Sequence, residues 1–156
     1  MKGNDKVIEQ LNTRLAEELT AINQYFVHAE MTENWNYERL SDPIKKRSIT
    51  EMRHAEKLIE RILYLEGQPI VDKLNQIRIG AEVIQMHKND LDAESTAVRG
   101  YNESIRIAGE LGDDGTRKVL EAILKDEEEH VDWLEAQLDQ IQQTGIQNYL
   151  AQQIYE

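Results

Sequence analysis

The stretch ELTAINQY, residues 18 to 25, recurs seventy-six residues later as ESTAVRGY, residues 94 to 101. Both copies write glutamate, two residues, alanine, a β-branched aliphatic, two residues, tyrosine. Around the first copy, Ile8, Leu11, Leu15, Glu18, Ile22, Tyr25 and Ala29 follow one another at alternating steps of three and four, the spacing that lines one face of a packed helix. Around the second, Ile84, His87, Leu91, Glu94, Val98, Tyr101, Ile105 and Ala108 do the same, up to a stop at Gly112. Each seam should be apolar, and each carries a glutamate at its middle.

Two further seams complete the set. Ile44, Ser48, Glu51, Ala55, Leu58, Ile62 and Leu65 run to Gly67 and Pro69, and Leu120, Ile123, Glu127, His130, Leu134, Gln137 and Ile141 run to Gly145. Glycine and proline at those places are helix stops. The chain therefore reads as all-α, four long helices in a bundle, and the tail GIQNYLAQQIYE predicts a short C-terminal fifth helix or a cap over the bundle end. Between the second and third helices, GQPIVDKLNQIRIG (67 to 80) has neither period and is too long for a tight turn. Extended, it reaches roughly 45 Å, and a helix of about 28 residues is roughly 42 Å long, so this long crossover spans the bundle and makes helices two and three parallel.

The repeat supports that topology independently, because Glu18 and Glu94, Glu51 and Glu127, and His54 and His130 are all offset by seventy-six residues. Two hairpins related by a pseudo-twofold axis each supply half of one site. Residues at one level of an antiparallel hairpin are equidistant from its apex. Glu94 and Glu127 put that apex in the ELGDDG turn, and Glu18 and Glu51 put it near Asn34 and Trp35. Ser41-Asp42-Pro43 is the more obvious capping signal, with proline suited to a first helical position. The level argument overrides it and starts the second helix near Asn36, leaving Pro43 to disturb its first turns.

Composition narrows the function. Only two prolines interrupt 156 residues rich in straight-chain helix formers, a length that predicts one domain, 1–156. A formal net charge of −12 argues against nucleic-acid or anionic-membrane partners and favours cations. Without cysteine there is no disulfide, thiolate site or thiol nucleophile. MKGNDKVIEQ has no apolar run behind its lysine, and no eighteen consecutive apolar residues occur, so a cytoplasmic protein is expected.

Four carboxylates at one level of a core are costly unless bonded, paired or bound to metal, and their mutual repulsion should raise their pKa values. EMRH (51 to 54) and EEEH (127 to 130) each put a carboxylate and an imidazole one turn apart on the same face. Two divalent cations would neutralise the four carboxylates, with neutral His54 and His130 completing the set. Surface glutamates paired with lysine or arginine would account for any one of these residues, but not for six in matched register. This is the ligand pattern of ferritin-like di-iron and di-manganese proteins. One imidazole per metal among oxygens suits iron or manganese better than structural zinc.

On AINQYF, the NW at 34 to 35, HAEKLIERILYLEG at 54 to 67, EEEHVDWLE at 127 to 135 and GIQNYL at 145 to 150, the chain resembles the bacterioferritin family from end to end. The resemblance implies an iron-storage ferroxidase: a homo-oligomeric shell of twenty-four subunits around an iron-mineral cavity. In it a di-iron centre oxidises Fe(II) with dioxygen or peroxide. Glu51 and Glu127 would bridge the irons, Glu18 and His54 would complete one, and Glu94 and His130 the other. It also makes Met52 the axial ligand of a haem b shared between two subunits, although by spacing alone Met52 turns off the seam towards a neighbour or solvent. Haem would assist iron release, with a small ferredoxin as reductase partner.

The resemblance further gives Tyr25 a place beside the irons as an electron donor, whereas Tyr101 reads as a packed ring bonding a buried carboxylate. His28 and His87 read as structural, His28 at a contact surface, and Trp35 and Trp133 as packing or interface aromatics. Some family members place His and Asp on the cavity side of the second helix as an extra iron site. Here Lys45, Lys46, Arg47, Ser48, Ile49 and Thr50 make a basic run, so no inner-surface iron is expected there. The alternatives are another di-iron carboxylate oxidase or peroxidase without a storage cavity, a DNA-protecting mini-ferritin, and a non-catalytic haem or scaffold protein.

Overall fold

The computed structural model describes residues 1–155 and contains five helices: α1 (Asp5–Asn34), α2 (Glu38–Tyr64), α3 (Val83–Glu110), α4 (Asp114–Thr144) and α5 (Ile146–Gln153). α2 and α4 largely bury the seams their spacing defines, whereas α3 leaves Ile84, Leu91, Val98 and Ile105 half-buried and turns Asp90, Ala97 and Ser104 inward beside His87, Glu94, Tyr101 and Ala108. Leu11, Leu15, Leu58, Ile62, Tyr101, Leu120 and Ile123 form one core cluster, and Tyr25, Ala29, Leu40, Ile44, Val83, Ile141 and Tyr149 form another. The glutamate level lies between these two apolar layers. The four carboxylates there are each at most 2% exposed, and this sets the chemistry of the site.

The first hairpin turns where level-matching puts it. Asn36, at φ 63, supplies the left-handed residue that closes α1, with Asn36 N bonded to Glu33 O and Tyr37 N to Thr32 O, both at 2.9 Å. Ser41-Asp42-Pro43 lies inside α2 rather than before it. At the far end of α2 the left-handed residue is Glu66, and Gly67 follows it with its N–H on Ile62 O at 2.9 Å. Gly112 closes α3 at φ 75, and Asp113 caps α4 by accepting from Thr116 N.

The crossover is extended and runs along α1 from Asn12 to His28. Asn12 exchanges bonds with Gln68 and Ile70, Asn75 N donates to Thr20 Oγ1, Arg78 N to Gln24 Oε1 and Gly80 N to His28 Nε2. Asn12 to His28 is sixteen residues of helix, about 24 Å. The segment thus carries the chain from the foot of α1 to its upper part, and α2 and α3 are parallel. The side chains of α1 replace the ladder partners that this strand-like segment lacks. His28 is buried and structural rather than at a contact surface: its Nδ1 lies 3.0 Å from Asp90, which also accepts from Gln24.

The tail forms both a helix and a cap. Tyr149 of α5 is buried, its hydroxyl donating to Gln137 and lying 3.1 Å from His87 Nε2. His87 is structural as expected, and burial pushes its pKa down to about 4, so the ring is neutral. Among the described residues no helix is long and apolar enough to cross a membrane.

Candidate metal centre

Glu18, Glu51, His54, Glu94, Glu127 and His130 are all buried and converge between the two core layers. Glu18, Glu51, His54 and Glu127 each offer one ligand atom in a group whose atoms lie within 4.8 Å of one another, and Glu51, Glu94 and His130 form a second such group. Glu51 belongs to both. His54 Nδ1 lies 2.9 Å from Glu127, 3.3 Å from Glu51 and 3.5 Å from Glu18, and His130 Nδ1 lies 3.1 Å from Glu94. Both Glu-x-x-His pairs therefore turn inward, as one helical turn of separation requires.

The twin octapeptides account for one another across the bundle. The Tyr101 hydroxyl donates to Glu18 Oε1 at 2.5 Å, and the Tyr25 hydroxyl donates to Glu94 Oε1. Because α1 and α3 are antiparallel, a tyrosine two turns beyond each glutamate meets the glutamate of the other copy. Each tyrosine takes up one oxygen of its carboxylate and leaves the second facing the centre. Burial above all, then the neighbouring carboxylates, raises both phenol pKa values well above the ordinary range. Both hydroxyls remain donors.

The donors left over match what cations require. Glu18 Oε2, Glu94 Oε2, Glu127 Oε1 and His130 Nδ1 are buried without a well-formed hydrogen bond, held only by ion-pair contacts with His54, Arg47 and one another. Polar atoms of this kind are expensive in a protein interior. Burial, then repulsion from Glu51, pushes Glu18 well above the ordinary carboxylate range, and burial followed by Glu51, Glu18 and Glu94 does the same to Glu127. Glu51 goes the other way: burial opposes its ionisation, but bonds with Glu18 and His54 and the charge of Arg47 hold it low. Burial would lower His54, yet its bonds to Glu18 and Glu51 outweigh that and lift it to about 10. A site that stores protons on carboxylates and imidazole is one whose charge calls for cations.

Three features lay outside the sequence reading. Arg47 is the first, and it corrects the idea of one basic run at 45 to 50. Lys45 and Lys46 are exposed, but the Arg47 side chain is only 13% exposed and reaches into the centre, Nε bonding Glu51 at 2.8 Å. Its spacing, one turn before Glu51, was visible in the sequence. Asp126 is the second; its carboxylate holds His54 Nε2 at 2.8 Å, fixing the ring so that Nδ1 faces inward. It lies one residue off the seam, so no periodicity marks it. The third is a cavity of about 470 Å³ running from Asn75 and Arg78 of the crossover past Glu17 to Glu18, Glu94 and Glu127. Burial pushes Glu17 up to about 7.

Met52 is 51% exposed, and Ile49, one turn earlier, is exposed beside it. Trp133 is half-buried and stacks on His130, ring centroids 6.1 Å apart, and Trp35 is exposed.

Residues 8–144 match the ferritin family, described as the ferritin-like domain. The chain is 42% identical over 149 residues to a bacterioferritin of Brucella melitensis, covering 96% of this chain and 92% of the relative. It is equally similar, with the same coverage, to a bacterioferritin of Rhodobacter capsulatus. A Streptomyces coelicolor bacterioferritin is 42% identical over 151 residues, covering 97% of this chain and 90% of the relative.

Proposed function

The chain belongs to the bacterioferritin family of ferritin-like proteins, and from that premise we propose that it stores iron by oxidising Fe(II) at the six-residue centre. The observation that carries this reading is the set of buried donor atoms without well-formed hydrogen bonds on Glu18, Glu94, Glu127 and His130, converging inside one protomer. Iron is the substrate. Two Fe(II) ions give up two electrons, and with two protons one dioxygen becomes hydrogen peroxide, or one peroxide becomes two waters. Fe(III) leaves for the mineral.

Glu51 and Glu127 serve both iron positions, Glu18 and His54 complete one, and Glu94 and His130 the other. Tyr101 and Tyr25 aim the terminal carboxylates, and Asp126 holds His54. Tyr25 also lies close enough to the irons' ligands to act as an electron donor. The crossover cavity offers Fe(II) an acidic approach through Glu17.

The whole chain, 1–156, acts as one iron-storage domain in a cytoplasmic homo-oligomeric shell of twenty-four copies built from haem-bridged dimers. Its formal net charge of −12 suits a protein that gathers cations and binds neither nucleic acid nor membrane. The exposed Met52, with apolar Ile49 one turn away, would hold a haem b between two copies. Such a haem would supply one-electron transfer for iron release, with a ferredoxin as reductant.

Aerobic loading of the purified protein with Fe(II), followed by size-exclusion chromatography and iron analysis, tests the storage function. The expected result is a shell-sized particle holding iron far beyond two per subunit. A small oligomer retaining no more than two would reject storage in favour of another di-iron oxidase or peroxidase. Met52→Leu is expected to abolish the visible haem bands of the purified assembly and leave iron uptake intact; bands of unchanged intensity would reject this ligand.

A further inference from the structure

The seventy-six-residue repeat makes the two halves of the centre look equivalent, and the structure makes them different. Arg47 Nε bonds Glu51 Oε1 at 2.8 Å, while Nη2 lies 3.5 Å from Glu127 Oε1 and 3.9 Å from Glu94 Oε2. Nη2 is buried and makes no hydrogen bond of its own. Seventy-six residues on, the counterpart of Arg47 is Ile123, fully buried in the apolar core. The guanidinium is therefore held mainly by Glu51 and Glu127, and of the two terminal carboxylates it faces Glu94 rather than Glu18. Asp126 adds to the difference. It orients His54, whereas its counterpart Thr50 turns back to bond its own helix at Lys46 O.

We propose that Arg47 is a built-in counter-ion that makes the centre load in order: a first divalent cation takes the Glu18–His54 position, and a second takes the Glu94–His130 position only as the guanidinium withdraws. This inference rests on the metal-centre reading above. Charge supplies the reason. Four carboxylates with Arg47 and one divalent cation leave one negative charge, but a second cation added with Arg47 in place would leave a buried positive excess. With the arginine withdrawn, two cations and four carboxylates balance. The side chain is 13% exposed although Nη2 is buried, so part of it already meets solvent along the path of withdrawal. Ordered loading means that a single Fe(II) waits at the Glu18–His54 position until a second arrives, so electrons leave in pairs.

Anaerobic calorimetric titration of the full-length assembly with Zn(II), which has no redox chemistry, tests this. Wild type is expected to take up two zinc ions per subunit in two steps whose affinities differ by about tenfold or more, given the repulsion between like charges a few ångströms apart. Arg47→Gln is expected to strengthen the second step by about tenfold or more and merge the two, and Arg47→Lys to keep them separate because the charge remains. Crystals with one equivalent of zinc should show anomalous signal at Glu18 and His54 with Arg47 in place, which reads the order without any variant. Equal steps in wild type, an unchanged separation in Arg47→Gln, or the first zinc at Glu94 and His130 would overturn the role of Arg47. No tight zinc at all would overturn the metal centre itself, and this inference with it.

Discussion

Replacing Glu94 by alanine is expected to slow the first, fast phase of Fe(II) oxidation by about a hundredfold or more, since loss of even an outer partner of a metal ligand costs about 10–100-fold. The substitution deletes one of the three groups that could hold the second cation. It also removes the acceptor of the Tyr25 hydroxyl and the anion beside His130 Nδ1. Assembly should survive, because the deleted carboxylate adds repulsion to Glu127 in the metal-free protein rather than apolar packing. Glu18→Ala is expected to behave alike from the other side, removing the acceptor of Tyr101 and weakening the position shared with His54. Stopped-flow absorbance of the ferric product, run on variants of unchanged particle size, measures both. If both oxidise iron at the wild-type rate, the centre has been assigned to the wrong residues.

Why these glutamates could be found in the sequence, and Arg47 could not, comes down to how each interaction is encoded. Glu18, Glu51, Glu94 and Glu127 interrupt apolar seams, and a period of three and four residues is the strongest local signal a helix writes. Duplication then repeats the signal, which sets the topology: the apexes at 34 to 35 and in ELGDDG follow from equal distances along two hairpins. Even Pro43 gives way to that geometry, lying inside α2. Arg47, by contrast, reads as one of three consecutive basic residues. Its spacing to Glu51 separates it from Lys45 and Lys46 but reads as an ordinary helix-surface pair, and its approach to Glu94 and Glu127 depends on two further helices. Asp126 and the partners of His28 are hidden for the same reason, since contacts between residues 72 and 52 to 62 positions apart leave no periodic trace.

The same cluster predicts a steep pH dependence of metal binding. In the metal-free centre His54 holds its proton up to about pH 10, and Glu18 and Glu127 hold theirs well above the ordinary carboxylate range. A cation needs those lone pairs, so binding expels protons. Affinity for Zn(II) is expected to rise by at least about tenfold per pH unit between about pH 6 and about pH 8, and more steeply if more than one proton leaves. The stability of the metal-free protein should change in the opposite sense. A group whose folded pKa is raised binds more protons folded than unfolded, so what it contributes is present at low pH and lost as pH climbs. For His54 that loss runs from its ordinary value of 6.5 to about 10. Adding base should therefore destabilise the metal-free protein through this cluster and tighten the metal-loaded one, two slopes of opposite sign that no surface cluster of glutamates would produce. Zinc titrations at several pH values, repeated in buffers of different ionisation enthalpy to count the protons released, provide the measurement. An affinity that stays flat across that range would mean that His54 and its carboxylates are not where the cation binds.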